Sequence, residues 1–374
     1  MIKKIQKLIL LIYYKLGDII NSYLKDVKLY SVEEALSILH SAHPDVKSSC
    51  IKPDATFREV NTHKLSIIVP SYNNAHFLKK CIDSVITQKS DYDYELIVVN
   101  DGSKDNTREL LSAYEDIPNI KVIHQENKGL SGARNTGIEH AEGLYLSFLD
   151  ADDNLLPGSI NALMGTALKY DADIVEGNYI LTYESSREPI KNSSYKFRKT
   201  MPLGQMKGFM WGKVYKRELF RNVRFNERYW FEDSLNANIL FCMTDKCYII
   251  PDYVYAYLQN DKGISRSSNR SVKSIDSLYI NYQLLKDHEA LGLEFNQKYY
   301  EYFMHVVEIN FMRTRFLDYN VRKAVFKIAC HIHASYFKGF RTAQKKYIYL
   351  EKALINEDFR LYIYNQNMNR NVTL

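Results

Sequence analysis

The sequence predicts an α/β fold: a mostly parallel sheet wound between layers of helices. Three observations carry that expectation. Short apolar runs alternate with segments of helical period from Leu65 to Gly177. Their connections are short and rich in Gly, Asn and Asp. Unusual polar residues gather at the carboxyl ends of the runs, where sheets of this class place their ligands.

In chain order, residues 1–28 read as an amphipathic helix. Ile2, Ile5, Ile9, Ile12, Leu16, Ile19, Ile20 and Tyr23 fall at three- and four-residue steps, and most of six lysines lie opposite, against two aspartates. Such a helix lies on an anionic membrane surface or docks on its own protein. Ser31 then caps a short helix from Val32, ahead of a polar linker. The run LSIIV (65–69) ends at Pro70, and Ser71-Tyr72-Asn73-Asn74 has turn chemistry. A helix follows, with Leu78, Cys81, Ile82, Val85 and Ile86 on one face. Next come ELIVV (95–99) with the turn Asn100-Asp101-Gly102-Ser103, a helix at 105–115, and the run IKVIH (120–124). The glycine-rich turn Asn127–Gly132 precedes a helix expected from Ala133.

The next run, Leu144–Leu149, is nearly all apolar, as in a strand buried on both faces, and ends in Asp150, Asp152 and Asp153. Carboxylates so crowded repel and desolvate one another unless a cation meets them. An all-oxygen cluster suits a hard divalent ion, Mg²⁺ or Mn²⁺, completed by phosphate oxygens. The same residues also read as an acidic surface turn, with Asn154 and Pro157 opening the next helix.

Fifty Lys and Arg against 44 Asp and Glu give a net charge of +6, mildly basic, and no nucleic-acid-binding motif or Arg/Lys block is present. Five cysteines without a C-x-x-C spacing disfavour a disulfide framework or zinc site and fit a reducing cytoplasm. No segment reaches the roughly 18 apolar residues of a membrane span, and the N-terminus lacks a signal-peptide pattern. Neither G-x-G-x-x-G after the first run nor G-x-x-x-x-G-K-[ST] occurs, which disfavours dinucleotide and P-loop sites.

Four stretches resemble the family 2 glycosyltransferases of the GT-A fold, whose sheet is Rossmann-like. They are IIVPSYNNAHFLKKCIDSVITQ (67–88), LIVVNDGSKDNT (96–107), ENKGLSGARNTGIEHAEGLYLSFLDADD (126–153), and WGKVYKRELF (211–220) with FED (231–233). The resemblance covers about residues 64–265. It implies a nucleotide-sugar donor, a divalent cation and inversion at the anomeric carbon. Pro70, Tyr72 and Asn73 resemble the loop that holds base and ribose. Asp101 resembles the carboxylate that bonds the base, with Asn100 where the family often has a second acid. Lys128, Gly132, Arg134 and Asn135 match the segment facing the nucleotide and its diphosphate, and Arg134 reads either as a phosphate ligand or as a helix-surface ion pair. Asp150 and Asp152 match the D-x-D motif, with Asp150 toward the ribose, the metal on Asp152, and Asp153 as helper or alternative ligand.

Trp211 stands where the family places an aromatic near sugar and acceptor; a core tryptophan is the competing reading. Glu232-Asp233 matches the family's E-D motif, which makes Asp233 the expected base and Glu232 the second candidate. The same Asp233 also reads as an N-cap. The segment 255–266 resembles a closing loop, in which Ser265 or Arg266 would reach the diphosphate. Residues 180–205 are expected to form a loop or hairpin near the acceptor.

Beyond about 267 the chain is helical, aromatic and basic, and is expected to serve acceptor binding, membrane contact or self-association. Cys330, His331 and His333 are spaced for core or surface roles rather than a metal. The expected organisation is an N-terminal extension (1–60), a glycosyltransferase domain (61–265) and a helical C-terminal region (266–374). The function expected is sugar transfer from a nucleoside diphosphate, UDP by preference, to a carbohydrate, lipid-linked or protein-glycan hydroxyl. The setting is bacterial surface-polysaccharide or glycoconjugate synthesis, in the cytoplasm or on the inner face of the cell membrane. A nucleotidyltransferase and a non-catalytic carbohydrate-binding scaffold are the alternatives.

Overall fold

The computed structural model describes residues 28–53, 57, 62–184, 188–259 and 270–368. The basic amphipathic segment 1–28, save its last residue, and the expected diphosphate contacts Ser265 and Arg266 lie outside the described residues.

In chain order the elements begin with α1 (Val32–Ala42), β1 (His63–Ser71), α2 (Ala75–Ile86), β2 (Tyr94–Asp101) and α3 (Thr107–Ser112). Then come β3 (Ile120–Gln125), α4 (Gly129–His140), β4 (Gly143–Phe148), β5 (Asn154–Leu155), α5 (Ser159–Lys169) and β6 (Ile174–Thr182). Short β7 (Ile190–Lys191) and β8 (Arg198–Thr200) precede β9 (Lys213–Lys216), α6 (Ser234–Asn238) and β10 (Cys247–Leu258). Five helices follow among the described residues: α7 (Asp276–Ala290), α8 (Gln297–Thr314), α9 (Tyr319–Tyr336), α10 (Ile348–Ile355) and α11 (Phe359–Met368).

By contacts the chain divides into two compact units, one of residues 48–261 and 283–293, the other of 1–47, 262–282 and 294–374. In the first, the strands join one sheet in the order β3-β2-β1-β4-β9-β6-β10-β5, with β7 on β6 and β8 on β10. β1, β2, β3 and β4 run parallel, and Ile68 pairs with Ile97 on one side and Phe148 on the other. β9 enters antiparallel between β4 and β6. The central strands are buried almost throughout, as their unbroken apolar runs require. One core joins Ile67, Val69, Leu78, Ile82, Val98, Leu149, Met164 and Tyr255.

Helix α4 starts at Gly129, four residues before the expected Ala133. Of the glycines read as turn signals, Gly129 opens the helix at a left-handed φ of 76°, whereas Gly132 lies inside it, and Gly137 beyond serves packing. A Cβ on Gly137 would stand 2.4 Å from Ile68 Cγ2, so the helix can lie directly on β1 only with glycine there. Helix α3 is also shorter than expected, and the 180–205 segment holds the two short strands β7 and β8.

In the second unit, Ser31 and Glu34 form a reciprocal capping box that starts α1. Tyr299, Tyr300, Phe303 and Phe337 build an aromatic core between α8 and the end of α9, with Phe303 stacked on Phe337 at 4.6 Å. His333 is buried there against the Tyr300 hydroxyl, which donates to Glu351. Burial lowers its pKa, the nearby Glu351 opposing. Much of the tyrosine excess is therefore core. Among the described residues no helix is long and apolar enough to cross a membrane.

Candidate active site

The site is built at the carboxyl ends of β1, β2 and β4. After β1, the exposed ring of Tyr72 precedes Asn73, whose φ of 54° is left-handed. Two hydrogen bonds hold that conformation: the Lys104 amide donates to Asn73 Oδ1 (2.8 Å), and the Asn73 amide to Ser103 Oγ (3.0 Å). Pro70 is buried within β1.

At the end of β2, Asp101 is 2% exposed. Its Oδ1 accepts from the Lys128 amide (2.8 Å) and the Gln125 amide side chain (2.6 Å). No partner of Oδ2 is present among the described residues. Asn100 turns away to the Ser103 amide and His124. Gly102, at φ 72°, makes the turn, and Asn127 donates to the Asp101 carbonyl. The loop bearing Lys128 is thereby fastened to Asp101. Gly132 faces the Lys128 side chain one helical turn on, where a Cβ would stand 2.4 Å from Lys128 Cβ.

Arg134 is buried, not on the helix surface. Its guanidinium donates to Asp150 Oδ1 (2.8 Å) and to Glu232 Oε1 (2.6 Å) and lies over the Phe225 ring. Burial would lower its pKa, but the two carboxylates hold it above the ordinary value. Both terminal nitrogens are thus engaged by protein carboxylates. Asn135 is likewise turned inward, exchanging hydrogen bonds with the Phe225 backbone and bonding Glu227. These two neighbours fix the chain leading to Glu232-Asp233. That approach is strained: Arg228 and Phe231 both hold left-handed φ, 68° and 67°. Asp233 precedes the short α6 and makes no side-chain capping bond, which removes the capping explanation of its presence.

The three aspartates after β4 have different surroundings. Asp150 pairs with Arg134. Asp153 is 1% exposed, and both its oxygens are used, by the Tyr255 hydroxyl (2.7 Å) and the Leu258 amide (2.7 Å). Tyr255 in turn accepts from the Asp150 amide (3.2 Å), so one phenol organises the acidic turn. Asp152 carries no side-chain partner among the described residues. Burial, then the charge of Asp150, raises its pKa to about 6. It borders a cavity of about 400 Å³ with His76, Phe77, Lys80 and Asn154. Burial and the charges of Asp150 and Asp152 raise Asp153 as well. Among the described residues no three or more His, Cys, Asp or Glu side chains are grouped to hold a metal ion.

Trp211 is 7% exposed and stacks on Phe209 (4.6 Å), Tyr255 (4.5 Å) and Tyr257 (5.2 Å). The contact with sugar expected of it thus meets an indole committed to ring packing. Sequence reasoning also missed a buried polar group beneath it. Lys213, 1% exposed, faces Glu176 at 3.5 Å and donates to the Phe209 carbonyl (2.7 Å). Glu176 accepts from Tyr195 (2.7 Å) and the Lys207 amide (3.0 Å). The only signal was a lysine inside the apolar strand WGKVYK.

A curled, mostly parallel sheet flanked by helices, with acidic residues at its strand ends, is a fold of the GT-A kind. The sequence profile of Glycosyl transferase family 2 matches residues 66–231. Glycosyltransferase GlyG of Streptococcus pneumoniae serotype 4 is 30% identical over 226 residues, 54% of this chain and 73% of that protein. Glycosyltransferase GlyA of the same organism is 34% identical over 220 residues, 54% of this chain. The match spans only 32% of GlyA's own length. A crystal structure of S. aureus TarS 1–349 in complex with UDP-GlcNAc shares the fold, with a TM-score of 0.55 at 17% identity. It covers 81% of this chain and 90% of that one. This chain belongs to glycosyl transferase family 2.

Proposed function

We propose that the protein transfers a sugar from a nucleoside diphosphate, with uridine as the base, to a hydroxyl of a carbohydrate, lipid-linked or protein-bound glycan, inverting the anomeric centre. Its place is the assembly of bacterial surface polysaccharide or glycoconjugate. The observation that carries this reading is Arg134. A single buried cation joins Asp150, at the acidic strand end where the donor is expected, to Glu232, next to the expected base.

In this reading Tyr72 and Asn73 flank the base and ribose with Pro70 beneath them, and the open Oδ2 of Asp101 accepts a hydrogen bond from the base. Lys128 and the start of α4 approach the diphosphate, with Gly132 allowing the lysine to fold close. Arg134 and Asn135 act from within the protein, fixing the strand end and the loop between which the sugar would lie. Glu232 has its Oε1 engaged by the Arg134 guanidinium, which leaves Asp233 to take the proton of the acceptor hydroxyl as its oxygen attacks the anomeric carbon.

The residues fit a divalent cation. Asp152 has no side-chain partner among the described residues and a pKa raised by burial and by the charge of Asp150, which a cation would relieve, whereas Asp153 is already satisfied. One or two carboxylates completed by phosphate oxygens is the usual Mg²⁺ arrangement, and Mn²⁺ accepts the same ligands. When bound, the ion neutralises charge on the departing nucleoside diphosphate. Asp152 would hold it and Asp153 would brace the turn through Tyr255.

The test is hydrolysis of a panel of nucleotide sugars with Mn²⁺ and with chelator, beside Asp152→Asn. Metal-dependent release of one nucleoside diphosphate, reduced at least ~100-fold in the variant, is expected. Turnover that neither chelator nor the substitution changes would overturn the metal assignment.

A further inference from the structure

The segment Lys207–Trp211 is held at four points. Glu176 binds the Lys207 amide (3.0 Å); Asn236, from α6, donates to the carbonyls of Gly208 (2.9 Å) and Phe209 (2.8 Å); Lys213 reaches the carbonyls of Phe209 (2.7 Å) and Trp211 (3.4 Å). Asn236, Lys213 and Glu176 are each 2% exposed or less. Burying an ammonium and a carboxylate 3.5 Å apart adds little stability over an apolar pair of the same size. What it does provide is one fixed backbone conformation.

That fixed backbone presents Phe209. Its ring lies nearly parallel to Trp211, at 6° and 4.6 Å, and edge-on to Tyr179, yet Phe209 remains 37% exposed. Trp211 and Tyr255 in the same stack are buried. The clamp is tied to the expected base as well. Asn236 sits three residues after Asp233, and Asp233 is near enough to Lys213 to favour its charged form, against the burial that lowers its pKa.

We propose that Phe209 is the acceptor-side specificity residue, its ring stacking on the C–H face of a hexopyranose, with Lys213 as the positioning residue that holds it. A flat, rigid aromatic surface backed by a second ring, its backbone held by Lys213 and Asn236, suits a pyranose, which offers an apolar face and hydroxyls at its rim. This rests on the glycosyltransferase reading above and moves the aromatic contact from Trp211 to its exposed neighbour.

The experiment uses the full chain, with methyl hexopyranosides (gluco, galacto and their N-acetylamino forms) as probes by saturation-transfer NMR, and UDP by calorimetry. At least one hexopyranoside is expected to bind with its ring C–H protons most saturated. Phe209→Ala and Phe209→Leu weaken it about tenfold, Phe209→Trp retains it, and UDP affinity stays within about twofold in all three. Lys213→Met reproduces the Phe209→Ala loss at unchanged UDP affinity, and Lys213→Arg recovers part of it. Equal hexopyranoside binding in wild type and Phe209→Ala, or no binding of any probe by a wild type that binds UDP, overturns the proposal. Phe209-dependent hexopyranoside binding without UDP binding would uphold it while overturning the donor reading.

Discussion

Arg134 is the residue on which the site's two halves depend, because its two terminal nitrogens serve carboxylates 82 positions apart in the chain. Replacing it with Met leaves Asp150 and Glu232 facing each other without a cation, a loss of about 3–5 kcal/mol for a buried pair broken on one side. Arg134→Lys keeps the charge but not the fork, so it should recover part of the stability and little of the turnover. Urea unfolding beside donor hydrolysis checks this; equal activity in the Arg134→Lys variant and the wild type would show that geometry at this position is unimportant. The sequence shows the arginine but not its direction. Beside the glycines of α4 it reads as a phosphate ligand, and nothing local to Arg134 names Glu232 as its partner. Asp153 and Trp211 were hidden in the same way: the phenol that satisfies one, and the rings that enclose the other, come from β10 and from Phe209.

At the level of elements, the placement of α4 on β1 sets the position of Arg134 and Asn135, and Gly137 permits it. Gly137→Ala should cost about 1–3 kcal/mol through overpacking against Ile68. Ile68→Ala in the same chain should return part of that loss, which distinguishes crowding from helix propensity; a Gly137→Ala protein of wild-type stability in urea would contradict the close contact. The helical unit has its own weak point. His333 has its pKa below the ordinary 6.5 because it is buried. The unfolded chain therefore binds a proton there that the native chain refuses, and the stabilisation is full above about pH 6.5 and falls as pH drops through that value toward the folded pKa. Denaturant midpoints should decline from about pH 7.5 to about pH 5.5, and His333→Phe should flatten that slope; an unchanged slope would assign the decline to other groups. Strands were legible because period and burial agree along them. The inserted β9 was not: four residues with a buried lysine at their start carry too little pattern, and only pairing with β4 and β6 makes them a strand.

Across the whole molecule, the alternation of runs and helices was enough to give the sheet, its parallel core and the edge where the acidic residues gather, since each of those follows from local pattern and from general rules of α/β winding. The division into compact units was harder to read, because residues 283–293 join the sheet unit from far along the chain and no composition change marks them. The five cysteines, met first as an argument about compartment, acquire a different use in the folded protein. All are free, and Cys242 alone is partly exposed. Cys81 lies behind the acidic turn with its thiol directed at the Asp150 carbonyl (3.6 Å), and burial keeps it protonated. Alkylation of Cys81 should therefore require local opening and run far slower than that of Cys242, which sets the reference rate; equal labelling rates by mass spectrometry would contradict the burial of Cys81 behind the turn. The thiol thus gives the acidic turn a chemical reporter of its own, and a ligand that covers the turn should slow the labelling of Cys81 relative to Cys242.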